Sequence, residues 1–194
     1  GVILGGMILV WGTSWAAIES DRPNIVWIML EDWSTDLGCY GLTELKTPRT
    51  DALAAEGLLY TNAFCTAPVC SSSRSAMITG FHQNTIGGHQ HDTRGDDRRP
   101  LPHGIRTLPA LLNEAGYFTA LMRSQKTHLN FTDEAGFDGK DWSERADDQP
   151  FFAQITLQGT HRRWLRDPKH PIDEDEVTLP PYYADTPFAR RDWA

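Results

Sequence analysis

The chain has 194 residues, of which 40% are hydrophobic and 23% charged, and its formal net charge at pH 7 is -8. A chain of this length forms about one domain and can bury a sizeable core, so disorder is excluded as the default state. The negative charge disfavours nucleic acid as a partner, because a protein that binds the phosphate backbone needs a basic face. An anionic substrate would therefore need a local cationic pocket.

The first 17 residues are apolar, lack helical amphipathicity and end in small residues before a polar segment that starts at Glu19. This pattern is typical of the hydrophobic region and cleavage site of a secretory signal peptide, here a partial one. A membrane anchor is the alternative, but the segment is short and rich in glycine, so we expect no stable membrane span in the mature chain. The expected destination is the periplasm or the cell exterior, or the lysosome in a eukaryotic host.

Short apolar runs alternate with helix-like segments along the rest of the chain. The predicted elements, in order, are strand 24–30, helix 48–56, strand 58–64, helix 71–80, helix 107–115, strand 117–122 and strand 151–157. The first strand is an uninterrupted apolar run, which is typical of a strand buried on both faces. The alternation predicts an α/β fold with a mostly parallel central sheet flanked by helices.

Charged or reactive side chains follow three of the predicted strands. They are Glu31 and Asp32 after the first strand, Lys126 and His128 after strand 117–122, and His161 after strand 151–157. Ligands of parallel α/β sheets bind beyond the carboxyl ends of the strands. We therefore expect these side chains to meet at one edge of the sheet, together with Cys70, which enters a helix from a loop.

Cysteine is present three times, as Cys39, Cys65 and Cys70. One interpretation is a disulfide between Cys65 and Cys70 or between Cys39 and Cys65. The other is catalysis at Cys70, because the N–H groups of a helix that begins at Ser71 and the guanidinium of Arg74 would together attract sulfate or phosphate. A cysteine phosphatase needs five residues between its cysteine and arginine, whereas three lie between Cys70 and Arg74, so that chemistry is disfavoured.

The polar segment 82–106 holds four of the seven histidines and is expected to be a loop beside the sheet edge. Its His89-x-His91 pair could bind zinc. No cysteine or third histidine lies at a useful spacing, however, so contact with a sugar or with solvent is the favoured interpretation.

The run Cys70-x-x-Ser73-Arg74, followed by Met77-Ile78-Thr79-Gly80, resembles the signature of the type I sulfatases, which belong to the alkaline-phosphatase superfamily. Other matching stretches occur in the family's order, namely 24–41, 47–64, Lys126-x-His128 and the strand that leads to His161. The histidine-rich loop resembles that of heparan and other glycan sulfatases, including N-sulfoglucosamine sulfohydrolase. The resemblance implies that residues 23–194 are the N-terminal part of a sulfatase domain with an alkaline-phosphatase-like fold, incomplete at its C-terminus.

The resemblance further implies that Cys70 is oxidised to Cα-formylglycine by formylglycine-generating machinery. The hydrated aldehyde would attack sulfur with one hydroxyl and release sulfate through the other. Glu31 and Asp32, together with residue 70, would hold a divalent cation, with Ca²⁺ expected and Mg²⁺ as the alternative. Four positions depart from the family pattern: Ser72 stands where Pro or Ala is usual, Glu31 where Asp is usual, Gln125 where Gly is usual and Thr160 where Pro is usual.

The remaining implied roles belong to four basic side chains. Arg74 and Lys126 would clamp the sulfate and residue 70, His128 would act on the diol proton, and His161 would bind sulfate or protonate the leaving alcohol. The implied function is a sulfuric ester hydrolase that removes sulfate from a sulfated glycan. The alternatives are a phosphonate monoester or phosphodiester hydrolase of the same superfamily, and an inactive glycan-binding relative.

Overall fold

The computed structural model describes residues 22–124, 126–161 and 168–194, so the predicted signal peptide at 1–17 lies outside the described residues. Strands β1 (Ile25–Leu30), β2 (Phe118–Leu121) and β3 (Phe151–Leu157) form a parallel sheet in the order β1-β3-β2. The helices are α1 (Pro48–Glu56), α2 (Cys70–Thr79), α3 (Leu108–Glu114) and α4 (Pro187–Trp193). The predicted α/β class with a parallel sheet is confirmed. Within the described chain, every helix is too short or too polar to cross a membrane.

Strand β3 is the centre of the sheet because it pairs with both other strands. Phe152 lies opposite Ile25 of β1, and Ala153 lies opposite Ala120 of β2. Phe152, Ala153 and Ala120 are buried. All three strands run in the same direction, so their carboxyl ends, and the polar turns that follow them, lie at the same edge of the sheet.

Strand β1 is covered on one face only. Its alternate side chains Val26, Ile28 and Leu30 are exposed by 47%, 50% and 41%, whereas the residues between them are half-buried. Successive side chains of a strand point to opposite faces, so these three residues share the outer face. The prediction that this strand is buried on both faces is wrong for the described structure, since about half of each of these outer side chains is exposed.

Helix α2 carries a polar but buried first half. Ser71 and Ser75 are fully buried, and the Ser75 hydroxyl donates to the Ser71 carbonyl at 2.7 Å. The second half is apolar, and Ile78 joins a buried hydrophobic cluster. Gly80 ends the helix at a φ of 71°, in the left-handed conformation that glycine adopts without a steric penalty. The predicted helix is confirmed, with Cys70 as its first residue.

Two parts of the described chain depart from the predicted elements. Segment 58–64 is irregular rather than a strand, and Leu58 and Phe64 are exposed by 86% and 87%. A strand needs a neighbour for its ladder of hydrogen bonds, and this segment pairs with none of the three described strands. Helix α4 was not predicted; the Thr186 side chain caps it by accepting a bond from the Ala189 N–H.

The buried centre of β3 gives the first prediction. Replacing Phe152 with Ala should lower the free energy of unfolding by about 3–5 kcal/mol, because it removes a large buried ring and leaves a cavity. Phe64→Ala is the matched control, and its exposed ring should cost less than about 0.5 kcal/mol. Urea unfolding of both variants measures the difference. Equal losses would show that β3 is not the core of the sheet.

Candidate active site

The turns that follow β1 and β3 are joined by backbone hydrogen bonds. The Glu31 N–H donates to the Leu157 carbonyl at 3.1 Å, which extends the strand pairing by one residue. The Thr160 hydroxyl donates to the Glu31 carbonyl. These bonds place His161 beside the carboxyl end of β1, as expected for side chains at one edge of a parallel sheet.

Glu31 forms a buried ion pair with Arg74. Glu31 Oε1 accepts a bond from Arg74 Nη2 at 2.6 Å, and the two side chains are only 2% and 8% exposed. Lys126 Nζ lies 3.7 Å from the same oxygen. Arg74 Nη1 donates to the Lys126 carbonyl at 3.3 Å and to the Thr156 hydroxyl at 3.4 Å. Buried charges need partners of this kind, so the cluster fixes β1, β3, α2 and the Lys126 segment together.

Asp32 is the solvent-facing member of the carboxylate pair. It adopts a φ of 50°, and its Oδ2 lies 3.8 Å from His161 Nε2. One ligand atom each from Glu31, Asp32 and His161 lies within 4.8 Å of the others, a grouping that could hold a metal ion. The structure thus brings together two of the three predicted metal ligands, Glu31 and Asp32, in a group that does not include Cys70. It adds His161, for which the sequence resemblance implied contact with sulfate or the leaving alcohol.

Cys70 stands at the open start of α2. All three cysteines are free, so the disulfide interpretation is wrong. The N-cap residue Val69 provides no side-chain hydrogen bond, which leaves the first N–H groups of the helix available to an anion. Cys70 Sγ lies 3.6 Å from His91 Nε2. His91 therefore contacts residue 70, a contact that its spacing from His89 did not predict.

The buried side chain of Asn130 anchors the histidine-rich loop through hydrogen bonds. Its Nδ2 donates to the carbonyls of Gly88 at 2.9 Å and Gln90 at 2.5 Å. Its Oδ1 accepts a bond from the Thr93 N–H at 3.2 Å. Asn130 begins an Asn-x-Thr sequence, but an amide committed to these buried bonds cannot carry a glycan in the folded protein.

Ser72 connects α2 to the same loop. Its hydroxyl donates to the Gln90 carbonyl at 3.3 Å and lies 3.4 Å from Asn130 Nδ2, from which it accepts a bond. Proline or alanine, which are usual at this position in the family that the motif resembles, could make neither bond. Serine at position 72 therefore couples the helix that begins at Cys70 to the loop that carries His91.

His128 pairs with Asp92, a residue that was not predicted to belong to the site. Its Nε2 lies 2.8 Å from Asp92 Oδ1, and its ring lies edge-on to His91 with centroids 6.0 Å apart. The Asp92 N–H donates to Ser71 Oγ at 2.8 Å. Hydrogen bonds from Arg94, the larger effect, and from His128 lower the pKa of Asp92 to about 2. The carboxylate is consequently ionised at neutral pH.

A cleft of about 340 Å³ opens beside the carboxylate turn, which consists of Glu31 and Asp32. Asp32, Trp33 and Thr160 are among its lining residues. A larger cavity of about 760 Å³ lies along α1 near Cys39, and none of the predicted site residues lines it. Asp32 alone of the predicted site residues lines the smaller cleft, so the candidate site is defined by the side chains at the sheet edge rather than by either cavity.

Residues 23–144 match the family model described as Sulfatase. The chain belongs to the sulfatase family. The matched region contains the carboxylate turn, the Cys70 helix and the Lys126-x-His128 segment, and it ends before His161. The family resemblance inferred from the CSSSR run is therefore confirmed.

Two curated relatives show the range of this family. The chain is 33% identical over 162 residues to an ulvan-active sulfatase of Formosa agariphila, a match that covers 76% of the chain and 27% of that protein. It is 33% identical over 124 residues to an N-acetylgalactosamine-6-O-sulfatase of Bacteroides thetaiotaomicron, covering 62% of the chain and 23% of that protein. The sulfatase chain thus spans about a quarter of the length of these relatives.

Solved structures show the same fold. One, a complex with its substrate D-glucosamine-2-N,6-O-disulfate, superposes with a TM-score of 0.61 over 77% of this sulfatase chain and 37% of that chain, at 24% identity. Another, a complex with k-i-k-neocarrahexaose, gives a TM-score of 0.60 over 80% of this chain and 50% of that chain, at 19% identity. These likenesses support the predicted fold class.

The buried ion pair gives the second prediction. Glu31→Gln should lower the free energy of unfolding by about 3 kcal/mol, because it leaves the buried Arg74 cation without its carboxylate. Urea unfolding in buffer that contains a chelator measures this loss without any contribution from bound metal. Glu134→Gln is the matched control, since Glu134 is exposed and should change stability by less than about 0.5 kcal/mol. A Glu31 variant as stable as this control would contradict a buried, charged pair.

Proposed function

We propose that the full-length protein is a sulfuric ester hydrolase that removes sulfate from a sulfated glycan. The observation that carries the proposal is the position of Cys70, at the open start of α2, with Arg74 of the same helix bound to the carboxylate turn. Membership of the sulfatase family supports the reaction type. The names of two relatives, an ulvan-active sulfatase and an N-acetylgalactosamine-6-O-sulfatase, support a sulfated carbohydrate as the substrate class.

Residue 70 acts in this proposal as Cα-formylglycine, and Cys70 Sγ marks the place of the modified group. The hydrated aldehyde supplies one hydroxyl that attacks sulfur and a second that lets sulfate leave by elimination. The open N–H groups of α2 favour negative charge at this position. His91 lies within reach of the same position, 3.6 Å from Sγ.

The cluster of Glu31, Arg74 and Lys126 supplies the charge that a sulfate ester needs. Two cations share one carboxylate, at 2.6 Å and 3.7 Å. The three groups together carry one positive charge in excess, close to the start of α2. Arg74 is held rigidly by three hydrogen bonds, whereas Lys126 is 30% exposed and can turn toward a ligand. We assign Arg74 to orientation of the site and Lys126 to direct contact with sulfate.

Two histidines, His128 and His161, complete the proposed chemistry. His128 accepts the proton that residue 70 releases when sulfate leaves, and Asp92 bonds to it from the opposite ring nitrogen. His161, which is partly exposed beside Asp32, donates a proton to the leaving alcohol or contacts sulfate.

A divalent cation fits the carboxylate turn. Glu31 and Asp32 offer hard oxygen ligands, which suit Ca²⁺ and also Mg²⁺, and their ligand atoms lie within 4.8 Å of each other. We propose that these two carboxylates hold Ca²⁺ with an oxygen of modified residue 70. A bound cation would lower the pKa of the attacking hydroxyl and neutralise charge on sulfate.

Two further proposals concern partners and location. Formylglycine-generating machinery would act on Cys70 before the protein folds, because Ser71 and Ser72 beside it are buried in the native state. Export to the periplasm, the cell exterior or a lysosome rests on the apolar character of residues 1–17.

The third prediction tests the nucleophile. Cys70→Ala in the full-length protein should lower kcat for an aryl sulfate by roughly 10³-fold or more, because it removes the residue from which the nucleophile is made. Cys65→Ala is the matched control, since Cys65 is exposed and should leave turnover unchanged. Thermal unfolding should show both variants folded. Mass spectrometry of the peptide that contains residue 70 should show formylglycine in the wild-type protein.

Two outcomes would overturn the proposed function. One is a wild-type protein from its native host in which residue 70 is found only as thiol or disulfide. The other is faster turnover of an aryl phosphate diester than of an aryl sulfate, which would favour a diester hydrolase.

The fourth prediction concerns the metal. Removing divalent cations with a chelator should lower kcat by about 10²-fold, and Ca²⁺ should restore it. At 100 times its Kd, Ca²⁺ should also stabilise the wild-type fold by about 2.7 kcal/mol, an effect that Asp32→Asn should abolish. Asp147→Asn, at an exposed acid outside the cluster, is the control and should keep the stabilisation. Loss of the Ca²⁺ effect in both variants, or in neither, would contradict a cation site at Asp32.

A further inference from the structure

Asp92 lies in the histidine-rich loop and is given no role by the sequence motifs, yet it bonds directly to His128 at 2.8 Å. We propose that Asp92 is a positioning residue that keeps the proton of neutral His128 on Nε2 and leaves Nδ1 as the atom that accepts a proton during hydrolysis. The inference rests on the proposed function, because it gives the residue 70 chemistry as the source of that proton.

The two ring nitrogens of His128 differ in their surroundings. Nε2 faces Asp92 Oδ1, and an ionised carboxylate can only accept a hydrogen bond, so Nε2 must carry the hydrogen. Nδ1 is buried and has no hydrogen-bond partner in the described structure. A buried acceptor without a partner is unfavourable, and native proteins seldom keep one without a use. An Nδ1 lone pair held free is suited to take up a proton.

The position of Asp92 is fixed from its backbone. Its N–H donates to Ser71 Oγ at 2.8 Å, and Ser71 is fully buried and adjacent to Cys70 in sequence. Asn130 holds the preceding residues of the loop through the Gly88 and Gln90 carbonyls. The carboxylate is therefore anchored to the same helix that begins at Cys70.

Asp92 and His128 both have strained backbones, each with a φ of 53°. A non-glycine residue keeps this left-handed conformation only where its surroundings impose it, and such residues concentrate at functional sites. Here the two strained residues come from separate segments and bond to each other. The pairing is therefore a feature that the fold maintains at a cost in backbone energy.

Arg94 and His91 contact the pair. Arg94 binds the second oxygen of Asp92 and, with His128, lowers the pKa of the carboxyl to about 2, so Asp92 is ionised across the neutral range. His91 lies edge-on to His128, and its own Nε2 lies 3.6 Å from Cys70 Sγ. His91 is thus in contact with both residue 70 and the ring of His128.

In the proposed step, the second hydroxyl of hydrated residue 70 loses its proton to Nδ1 of His128. The electrons of that O–H bond form the aldehyde C=O, and the bond from carbon to the sulfate oxygen breaks, so sulfate leaves with its electron pair. The imidazolium that results is stabilised by the Asp92 carboxylate on its other side.

The test compares three variants of the full-length protein with the wild type. Asp92→Asn should lower kcat for an aryl sulfate by roughly 10²-fold while KM stays within about threefold, because tautomer and charge at His128 act on the chemical step. Asp92→Glu, which keeps the carboxylate, should recover part of the loss. Asp96→Asn is the matched control, since it removes an exposed carboxylate from the same loop and should not change kcat.

A second measurement reads the tautomer itself. In protein labelled with ¹⁵N-histidine, with the His128 signals assigned through His128→Gln, the wild type should show a protonated Nε2 and an unprotonated Nδ1. The Asp92→Asn variant should lose this preference. Because the wild-type spectrum is informative alone, a variant that fails to fold does not remove the test.

Two results would overturn the inference. They are a wild-type His128 with its proton on Nδ1, and an Asp92→Asn variant that turns over as fast as Asp96→Asn. A wild-type protein that hydrolyses no sulfate ester would overturn the proposed function, and the catalytic role of Asp92 would fall with it. The spectrum would still decide whether Asp92 sets the tautomer.

Discussion

The buried ion pair between Glu31 and Arg74 is the contact on which the site depends. It joins the carboxyl end of β1 to α2 at 2.6 Å, and Arg74 continues to the Lys126 carbonyl and to Thr156 of β3. Removing Glu31 would leave the Arg74 charge buried without its carboxylate, which is a large energetic penalty. One interaction thereby sets the positions of three segments that supply reactive groups.

A second network of hydrogen bonds joins the histidine-rich loop to helix α2. Asn130 binds loop carbonyls at Gly88 and Gln90, and Ser72 binds the same Gln90 carbonyl from α2. These bonds bring His91 next to Cys70 and bring Asp92 next to His128. The loop is thus a structural part of the site rather than a loop that contacts only solvent. Serine at position 72 helps to hold the loop in place through its bond to Gln90.

The elements that could be predicted were those with strong local signals. Strand β3 is a continuous apolar run, α2 ends at a glycine in the left-handed conformation, and α3 is capped by Thr107, whose hydroxyl accepts a bond from Ala110. Segment 58–64 has the same apolar character as a strand but finds no partner strand in the described structure. Pairing is a property of the fold, so β-branched and aromatic residues alone could not decide it.

The α/β class and the sulfatase family follow from the sequence, as does the expectation that Glu31, Asp32 and His161 meet at one edge of the sheet, because strand ends and one short motif carry that information locally. The three-dimensional contacts were needed to show that Arg74 neutralises Glu31, that His161 belongs to the same possible metal-binding group as the two carboxylates, and that His91 and Asp92 contact Cys70 and His128. These contacts join residues as far apart in the chain as Asp32 and His161. Their formation depends on the path that each long loop takes through the fold. The spacing of residues in the sequence does not determine that path.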